Sequence, residues 1–161
     1  SKTQLPFEYV LSNNEKISTE YSGKLSYKGK NYKYGRLYSA YEGINKKLWL
    51  GTDIGLWLSP NLDIGKAKPL FKIHNFLEGK ITDIKSSPNS QLIGCATRNH
   101  GVGLYFNSKF YNLSLHDGLP SNQINRIYFE SDSVLFVCSN KGLIKINLNL
   151  KNLLHSQLKN Y

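Results

Sequence analysis

Three stretches of this chain repeat one pattern of residues, and this periodicity limits the folds open to it more than any other feature. They run from Arg36 to Ser59, from Lys80 to Asn107 and from Gln123 to Asn147. The first and third align without a gap, because six matched pairs are each 87 positions apart: Leu37 with Ile124, Ala40 with Ile127, Leu48 with Leu135, Thr52 with Ser139, Gly55 with Gly142 and Leu56 with Leu143. The second stretch lies between them, so one repeat is about 43.5 residues long.

The second copy matches the other two only with insertions. Its equivalent positions are Ile81, Ile84, Ile93, Thr97, Gly103 and Leu104. The alignment places one extra residue before Ile93 and three extra residues between Thr97 and Gly103. This copy is therefore expected to carry the longest turn of the three.

Each repeat has the pattern of a four-stranded antiparallel sheet. Residues 124–129 alternate apolar and polar side chains, as a half-buried first strand does. Residues 48–52 and 134–139 are short apolar runs typical of a strand buried on both faces. A tight turn that ends in Gly leads to the third strand, and residues 70–76 and 109–115 are predicted to be fourth, outer strands.

A repeat of about 40–45 residues with four strands is typical of a β-propeller blade. The predicted fold class is all-β, with blades of four antiparallel strands in an incomplete propeller of three to four blades. The predicted division of this single segment is 1–34 as a partial blade, 35–79, 80–122, and 123–161 as a blade that need not be complete. The tail after Asn147 fits either a short helix or an outer strand. An arc of blades leaves two exposed edges, which favour covering by neighbouring blades or self-association.

The chain is strongly basic, with a formal net charge of +10 from 21 Lys and Arg against 11 Asp and Glu. Only three of the basic residues are Arg, and the lysines are spread along the chain. Nucleic-acid-binding proteins concentrate basic residues and use Arg for bidentate contacts, so no nucleic-acid partner is expected. Two interpretations stay open: solvated strand faces, or a partner that is itself anionic.

Neither the cysteines nor the hydropathy pattern indicates a redox site or a membrane span. Cys95 and Cys138 each lie inside an apolar run and form no CxxC pair, which predicts buried free thiols. No run of 18 apolar residues is present, so direct membrane insertion of this segment is not expected. The sequence starts at Ser1 without a signal peptide, which favours a processed or excised piece of a longer protein.

The sequence shows no catalytic constellation and no metal or cofactor motif. It lacks the G-x-S-x-G, Walker A and H-E-x-x-H patterns. The four histidines, at positions 74, 100, 116 and 155, lie far apart in different predicted elements. The segment is therefore predicted to be non-enzymatic, with no catalytic residue, no bound metal and no cofactor.

The first candidates for ligand binding lie on the turn of the second copy. Arg98, Asn99 and His100 are grouped on the Gly-flanked loop between Thr97 and Gly103. A long polar loop on a rigid scaffold is a common way to build a binding site, although a longer hairpin without function has the same pattern.

Three further candidates lie on predicted strands or beside them. Arg126 is in a predicted inner strand, and Arg36 occupies a nearby position in the first copy. Basic side chains near the axis of a propeller would suit an acidic ligand such as a uronate or a sulfated sugar. Trp57, in a third strand, is a candidate for stacking on a sugar, with core packing as the alternative. Trp49, in the buried second strand, is predicted to pack between blades.

The motifs of the repeat resemble those of two-component regulator propeller repeats. That family combines an Asp-Gly-Leu-Pro-Ser-Asn turn with a short apolar strand and then Leu-Trp-[Ile/Val]-Gly-Thr, two residues and Gly-Leu. Residues 117–122 (DGLPSN) match the first motif, and residues 48–56 (LWLGTDIGL) match the second. The other copies are degenerate, and the resemblance covers about residues 35–147.

The resemblance implies a ligand-sensing segment of a two-component sensor histidine kinase, lying in the periplasm as part of an inner-membrane protein. The expected partners are an oligosaccharide or another small ligand, anionic in one interpretation, and the remaining blades of the parent chain or a second protomer. The sequence carries no kinase, phosphotransfer or receiver motif, so the signalling output would come from another part of that protein. The alternatives are a protein-interaction propeller scaffold without signalling output, and a propeller lyase, for which no acid–base pair is visible.

Overall fold

The strands of the chain form four antiparallel sheets that follow one another in sequence. The structure, a computed structural model, describes residues 7–20, 22–89 and 92–155. The first sheet contains β1 (Glu8–Val10), β2 (Lys16–Thr19), β3 (Leu25–Tyr27) and β4 (Lys30–Tyr32), and the second contains β5 (Leu37–Glu42), β6 (Leu48–Thr52), β7 (Leu56–Ser59) and β8 (Lys68–Pro69). The third contains β9 (Ile81–Ser86), β10 (Ile93–Thr97), β11 (Val102–Phe106) and β12 (Lys109–Leu113), and the fourth contains β13 (Ile124–Ser131), β14 (Val134–Ser139) and β15 (Gly142–Asn147).

This arrangement confirms the all-β class and the incomplete propeller. In each sheet, consecutive strands are hydrogen-bonded neighbours, which is the strand order of a propeller blade. Residues 8–32 hold four strands where the sequence had predicted part of a blade, and the fourth sheet has three strands among the described residues. After β15 the tail forms the short helix α1 (Leu150–His155), one of the two forms that its sequence fits.

The predicted outer strand at residues 70–76 is wrong. The fourth strand of the second sheet is the two-residue β8, and single 3₁₀ turns follow it at Leu70–Lys72 and Asn75–Leu77. Pro69 has no N–H to continue the ladder, so the strand ends there. Within this segment the ring of Phe71 packs 5.4 Å from that of Trp57, whereas Ile73 is 74% exposed.

The predicted insertion in the second copy is also wrong in length. A hydroxyl at the end of the second strand donates to a glycine carbonyl in each copy: Thr52 to Gly55 at 2.9 Å, Thr97 to Gly101 at 2.8 Å and Ser139 to Gly142 at 3.1 Å. The equivalent glycine of the second copy is therefore Gly101 and not Gly103, and one residue is inserted instead of three. Gly103 lies inside β11.

A bulge at one fixed position gives the inner strands the same shape. The register shifts after Leu37 pairs with Thr52 and after Ile124 pairs with Ser139, and it shifts beside the pairing of Ile81 with Thr97. Each shift leaves one residue unpaired, namely Tyr38, Thr82 or Asn125. A bulge bends its strand and increases the local twist, so a repeated bulge bends successive sheets in the same way.

Each sheet packs one face on the following sheet, here called its forward face, and the opposite back face on the preceding sheet. Separate apolar cores fill the three spaces between neighbours. The buried side chains that meet there include Ile17 and Leu25 with Leu48 and Leu50, then Trp49 and Leu56 with Ile81 and Ile84, and then Val102 and Leu104 with Ile127 and Leu135. Trp49 is 1% exposed, which confirms its predicted place between blades.

Polar contacts join the inner strands of successive sheets. The Ser39 hydroxyl donates to the Ile81 carbonyl at 3.4 Å, and the Thr82 hydroxyl donates to the Ile124 carbonyl at 2.8 Å. The buried Asp83 carboxylate accepts the N–H of Ile127 at 3.1 Å. These hydrogen bonds offset the free-energy cost of removing the polar groups from water, because each group has a partner in the adjacent sheet.

The two outermost faces differ in composition, since the first carries exposed Val10 beside a charged pair and the second carries larger apolar side chains. On the back face of the first sheet, Glu8 and Lys16 form an exposed ion pair at 2.8 Å. On the forward face of the fourth sheet, Tyr128 is 62% exposed and Leu143 is 67% exposed. Leu56, which holds the position of Leu143 in the second sheet, is 1% exposed, so the fourth sheet presents side chains of the kind that are buried elsewhere in the repeat.

Candidate functional site

The candidates Arg98, Asn99 and His100 lie on the turn between β10 and β11. Arg98 and Asn99 are exposed and His100 is half-buried. The turn is held by its backbone, since the N–H of His100 donates to the Thr97 hydroxyl at 2.8 Å and its carbonyl accepts from the Asn112 amide at 2.7 Å. The loop is therefore a fixed platform with two exposed polar side chains.

Arg36 lies at the same end of the neighbouring sheet, here called the upper end, where the turns between second and third strands are found. Its N–H donates to the Asp53 carboxylate at 2.8 Å, and its carbonyl accepts the N–H of Asp53 at 3.0 Å. In the next repeat, Lys80 takes the same place, because its carbonyl accepts the N–H of Arg98 at 2.9 Å. Arg36 and Arg98 thus belong to equivalent junctions of adjacent sheets.

The structure does not bring Arg126 into contact with Arg36. Arg126 is in β13, and β9 of the third sheet lies between β13 and β5. Its guanidinium donates to the carbonyls of Thr82 and Asn125, both at 2.9 Å. It holds the repeat position of Ser39 and Asp83, the residues that contact the following inner strand. No contact within the described ranges closes these arginines into a ring.

Trp57 lies in the core between the first two sheets. Its ring packs on Tyr34 at 4.4 Å and on Phe71 at 5.4 Å, and it is 9% exposed. Trp57 therefore packs in the core, which was the alternative to stacking on a sugar. Its indole N–H has no hydrogen-bond partner among the described residues, which costs stability in a buried site.

The structure also forms a cleft that the sequence did not suggest. It lies between the first and second sheets at their lower end, opposite the upper-end turns, and has a volume of 740 Å³. That volume is in the range of small-ligand sites. Its lining residues come from the turns β1–β2, β3–β4 and β5–β6 and from the loop after β7: Ser12, Asn13, Glu15, Tyr27, Lys28, Lys30, Tyr32, Lys46, Asn61, Leu62 and Asp63.

One side of the cleft is a neutralised charge cluster. Lys28 and Glu15 form an ion pair at 2.6 Å, and the Tyr27 hydroxyl donates to the same carboxylate. The Lys28 ammonium also lies over the Tyr27 ring, 5.3 Å from its centroid. Hydrogen bonds from Lys28 and Tyr27 hold the pKa of Glu15 below its usual value, so the carboxylate is ionised at neutral pH and already has its partners.

The opposite side is a strained loop. Asn61 and Leu62 have φ of 51° and 58°, in the left-handed region that non-glycine residues avoid. The loop keeps this shape because Leu62 is buried in the core and its N–H donates to the Lys46 carbonyl at 2.9 Å. The Asp63 carboxylate accepts the N–H of Gly65 at 3.1 Å and forms an ion pair with Lys66 at 3.2 Å.

The sequence did contain a signal for this cleft. Two tyrosines and three lysines are grouped in residues 27–33 (YKGKNYK). Two short exposed strands joined by a tight turn can have this composition without forming a binding site. The partners in the second sheet, Lys46 and residues 61–63, lie in loops about 15–35 positions away. Their approach depends on how two sheets pack, which a linear pattern does not show.

Other reactive groups do not gather into a centre. No three His, Cys, Asp or Glu side chains among the described residues are placed to hold a metal ion. Within the same part of the chain, no helix is long and apolar enough to cross a membrane. Cys95 is buried and Cys138 is half-buried, and both are free thiols.

Comparison with known proteins identifies the fold. No model of a known protein family matches the chain, and no curated protein is similar to it in sequence. Solved structures do match. The extracellular domain of a protein assigned to a hybrid two-component system of B. thetaiotaomicron has a TM-score of 0.73 at 16% identity, over 89% of this chain and 22% of that one. PorZ, a surface component of the type-IX secretion system of Porphyromonas gingivalis, has a TM-score of 0.62 at 16% identity, over 87% of this chain and 25% of that one.

A third match comes from a different class of protein. The WD40 β-propeller domain of Doa1 has a TM-score of 0.57 at 12% identity, over 88% of this chain and 50% of that one. The chain therefore spans between about a fifth and a half of the length of these structures. Together with the four consecutive antiparallel sheets, these likenesses show that the chain is an incomplete β-propeller.

Proposed function

We propose that this chain is a ligand-sensing propeller segment of a hybrid two-component sensor, located outside the inner membrane, and that it recognises an oligosaccharide. The observation that supports this proposal most is its likeness to extracellular domains of such systems over about nine-tenths of this chain. The DGLPSN and LWLGT motifs, which resemble those of two-component regulator propeller repeats, support it as well. In this proposal a kinase in another part of the protein supplies the signalling output.

The geometry is suited to ligand binding. The upper-end turns are fixed by the repeated hydroxyl–glycine bonds, so the exposed Arg98 and Asn99 are carried on a rigid base. The cleft at the lower end offers a second concave polar surface. Preorganised polar groups reduce the entropy lost on binding a flexible ligand such as an oligosaccharide.

Isothermal titration of the 161-residue chain with matched neutral and acidic oligosaccharides tests the proposal. We expect saturable binding of at least one of them. A chain that is folded by circular dichroism but binds no member of either set would overturn the oligosaccharide part of the proposal.

The reading frame that encodes the chain tests the signalling part. A transmembrane helix followed by histidine-kinase motifs in the same frame is the expected result. A frame that encodes a propeller with neither feature would contradict it.

A second candidate function, a protein-interaction scaffold, is favoured by one observation. The forward face of the fourth sheet exposes Leu143 and leaves Phe136 half-buried, whereas the equivalent residues of the second sheet, Leu56 and Trp49, are buried against the third sheet. The likeness to the WD40 propeller of Doa1 is compatible with such a role. Ligand-independent association with another protein through this face, lost in Leu143→Asp, would support the scaffold over the sensor.

A further inference from the structure

We propose that the cleft between the first and second sheets binds a saccharide that carries a carboxylate or sulfate group, with Lys30 and Lys46 holding the anion. The inference depends on the proposed function for the saccharide nature of the ligand. The site and the charge follow from the structure, and they differ from the arginine candidates that the sequence suggested.

The charged side chains of the cleft are not all paired. The carboxylates of Glu15 and Asp63 have cationic partners, Lys28 and Lys66 respectively. Lys30 and Lys46 form no ion pair with any carboxylate in residues 7–20, 22–89 and 92–155. Among the charged side chains that line the cleft, the two without an ion-pair partner are therefore ammonium groups, and an anion is the ligand group that they complement. The Glu42 carboxylate, which accepts the N–H of the lining residue Ser12, is not itself part of the lining.

The cleft also offers an aromatic surface to the apolar part of a ligand. Tyr32 lines the cleft, and one face of its ring is stacked on Tyr34 at 5.3 Å with planes 23° apart. That stacking holds the ring in place, so the C–H face of a sugar can pack on it without freezing a mobile side chain. Asn61 also lines the cleft, and an Asn amide can donate to or accept from a sugar hydroxyl.

The loop that forms one side of the cleft is held in a fixed shape. Asn61 and Leu62 keep a left-handed backbone, which a side chain such as that of Leu62 rarely adopts, and burial of Leu62 together with its bond to Lys46 maintains it. Strain of this kind is concentrated at binding and active sites. The same bond fixes the β5–β6 turn that carries Lys46 beside the loop that carries Asn61.

The test compares trigalacturonic acid with an uncharged trisaccharide by isothermal titration on the full 161-residue chain. We expect the acidic probe to bind more tightly and its affinity to fall as NaCl rises from about 50 to about 500 mM, since salt screens an exposed ion pair. Lys30→Gln and Lys46→Gln should each weaken binding of the acidic probe by roughly tenfold and change binding of the neutral one little.

The chain supplies a matched control. Lys109 follows the β11–β12 turn as Lys30 follows the β3–β4 turn, and each pairs with the last residue of the preceding strand, Phe106 or Tyr27. Lys109→Gln removes the same charge from the same repeat position, away from the cleft, and should leave the affinity unchanged. Circular dichroism melting of each variant confirms that the comparison is made on folded protein.

The outcomes separate this inference from the proposed function. Acidic and neutral saccharides that bind equally, or binding of the acidic probe that Lys30→Gln and Lys46→Gln leave intact, would overturn the cleft assignment and leave the sensing proposal standing. Tight binding of inorganic sulfate alone, with no gain from the sugar, would also overturn it. Absence of binding by any saccharide would overturn both.

Discussion

At the scale of single residues, the glycines in the strands show how closely neighbouring sheets approach. A methyl group added at Gly94 would lie 2.8 Å from Cδ1 of Ile127 and 3.1 Å from the Phe129 ring, both in the next sheet. We therefore expect Gly94→Ala to lower the free energy of unfolding by about 1–3 kcal/mol through overpacking. Gly65→Ala, where the nearest atom is at 3.4 Å on a side chain, is the control. Equal urea midpoints for the two variants would contradict this packing.

The two cysteines should differ sharply in reactivity. Burial raises the pKa of the Cys95 thiol to about 12, so almost no thiolate forms at pH 8. Cys138 is half-buried on the forward face of the fourth sheet. Titration with a thiol reagent at pH 8 should modify Cys138 in the native chain and Cys95 only after unfolding. Fast reaction of Cys95 in Cys138→Ser under native conditions would show that the second and third sheets are not packed as described.

At the scale of elements, the DGLPSN motif is a connector between sheets. The Asp117 carboxylate accepts the backbone N–H of Ser114 at 2.9 Å, and the hydroxyl of Ser114 caps the 3₁₀ turn Leu115–Asp117. Gly118 follows with φ of 95°, and the Asn122 side chain accepts the N–H of Leu115 at 2.9 Å. The motif thus serves the turn chemistry that its composition indicates, and Leu119 is buried in the core.

Loss of this capping should destabilise the chain. We expect Asp117→Ala to lower the free energy of unfolding by about 1 kcal/mol, because it removes one half of a reciprocal cap. Lys141→Ala, at an exposed turn where only the backbone N–H of that residue is hydrogen-bonded within the described part of the chain, provides the comparison. Chemical denaturation that gives both variants the same midpoint would mean that the cap contributes nothing.

Strand pairing within a sheet could be predicted from the sequence, whereas contacts that depend on packing between elements could not. The pairing of Leu37 with Thr52 and of Ile124 with Ser139 follows from the constant offset, because equivalent residues make equivalent backbone bonds. The segment 70–76 differs from the strand prediction because two 3₁₀ turns place Phe71 on Trp57 and leave Ile73 exposed, and an apolar pattern does not distinguish such turns from a strand. The cleft was missed for a related reason, since its walls come from two sheets whose contact is tertiary.

At the scale of the whole molecule, equivalent positions differ in burial according to their place in the arc. Leu56 and Leu143 occupy the same position of the repeat and are 1% and 67% exposed. Leu56→Ala should cost about 2–5 kcal/mol of stability, whereas Leu143→Ala should change it by less than about 0.5 kcal/mol. A large loss for Leu143→Ala in the isolated chain would mean that the forward face of the fourth sheet is covered in solution.

The central claim is that four sheets of one kind pack face to face in chain order. Nuclear Overhauser contacts between neighbouring sheets measure this packing directly, because α-protons of the packed glycines lie against isoleucine methyl groups. We predict contacts from Gly51 to the Ile81 γ2 methyl and from Gly94 to the Ile127 δ1 methyl, where added methyl groups would lie at 2.8 Å in both cases. Isoleucine methyls that contact only their own sheets, with both of these signals absent, would contradict the account.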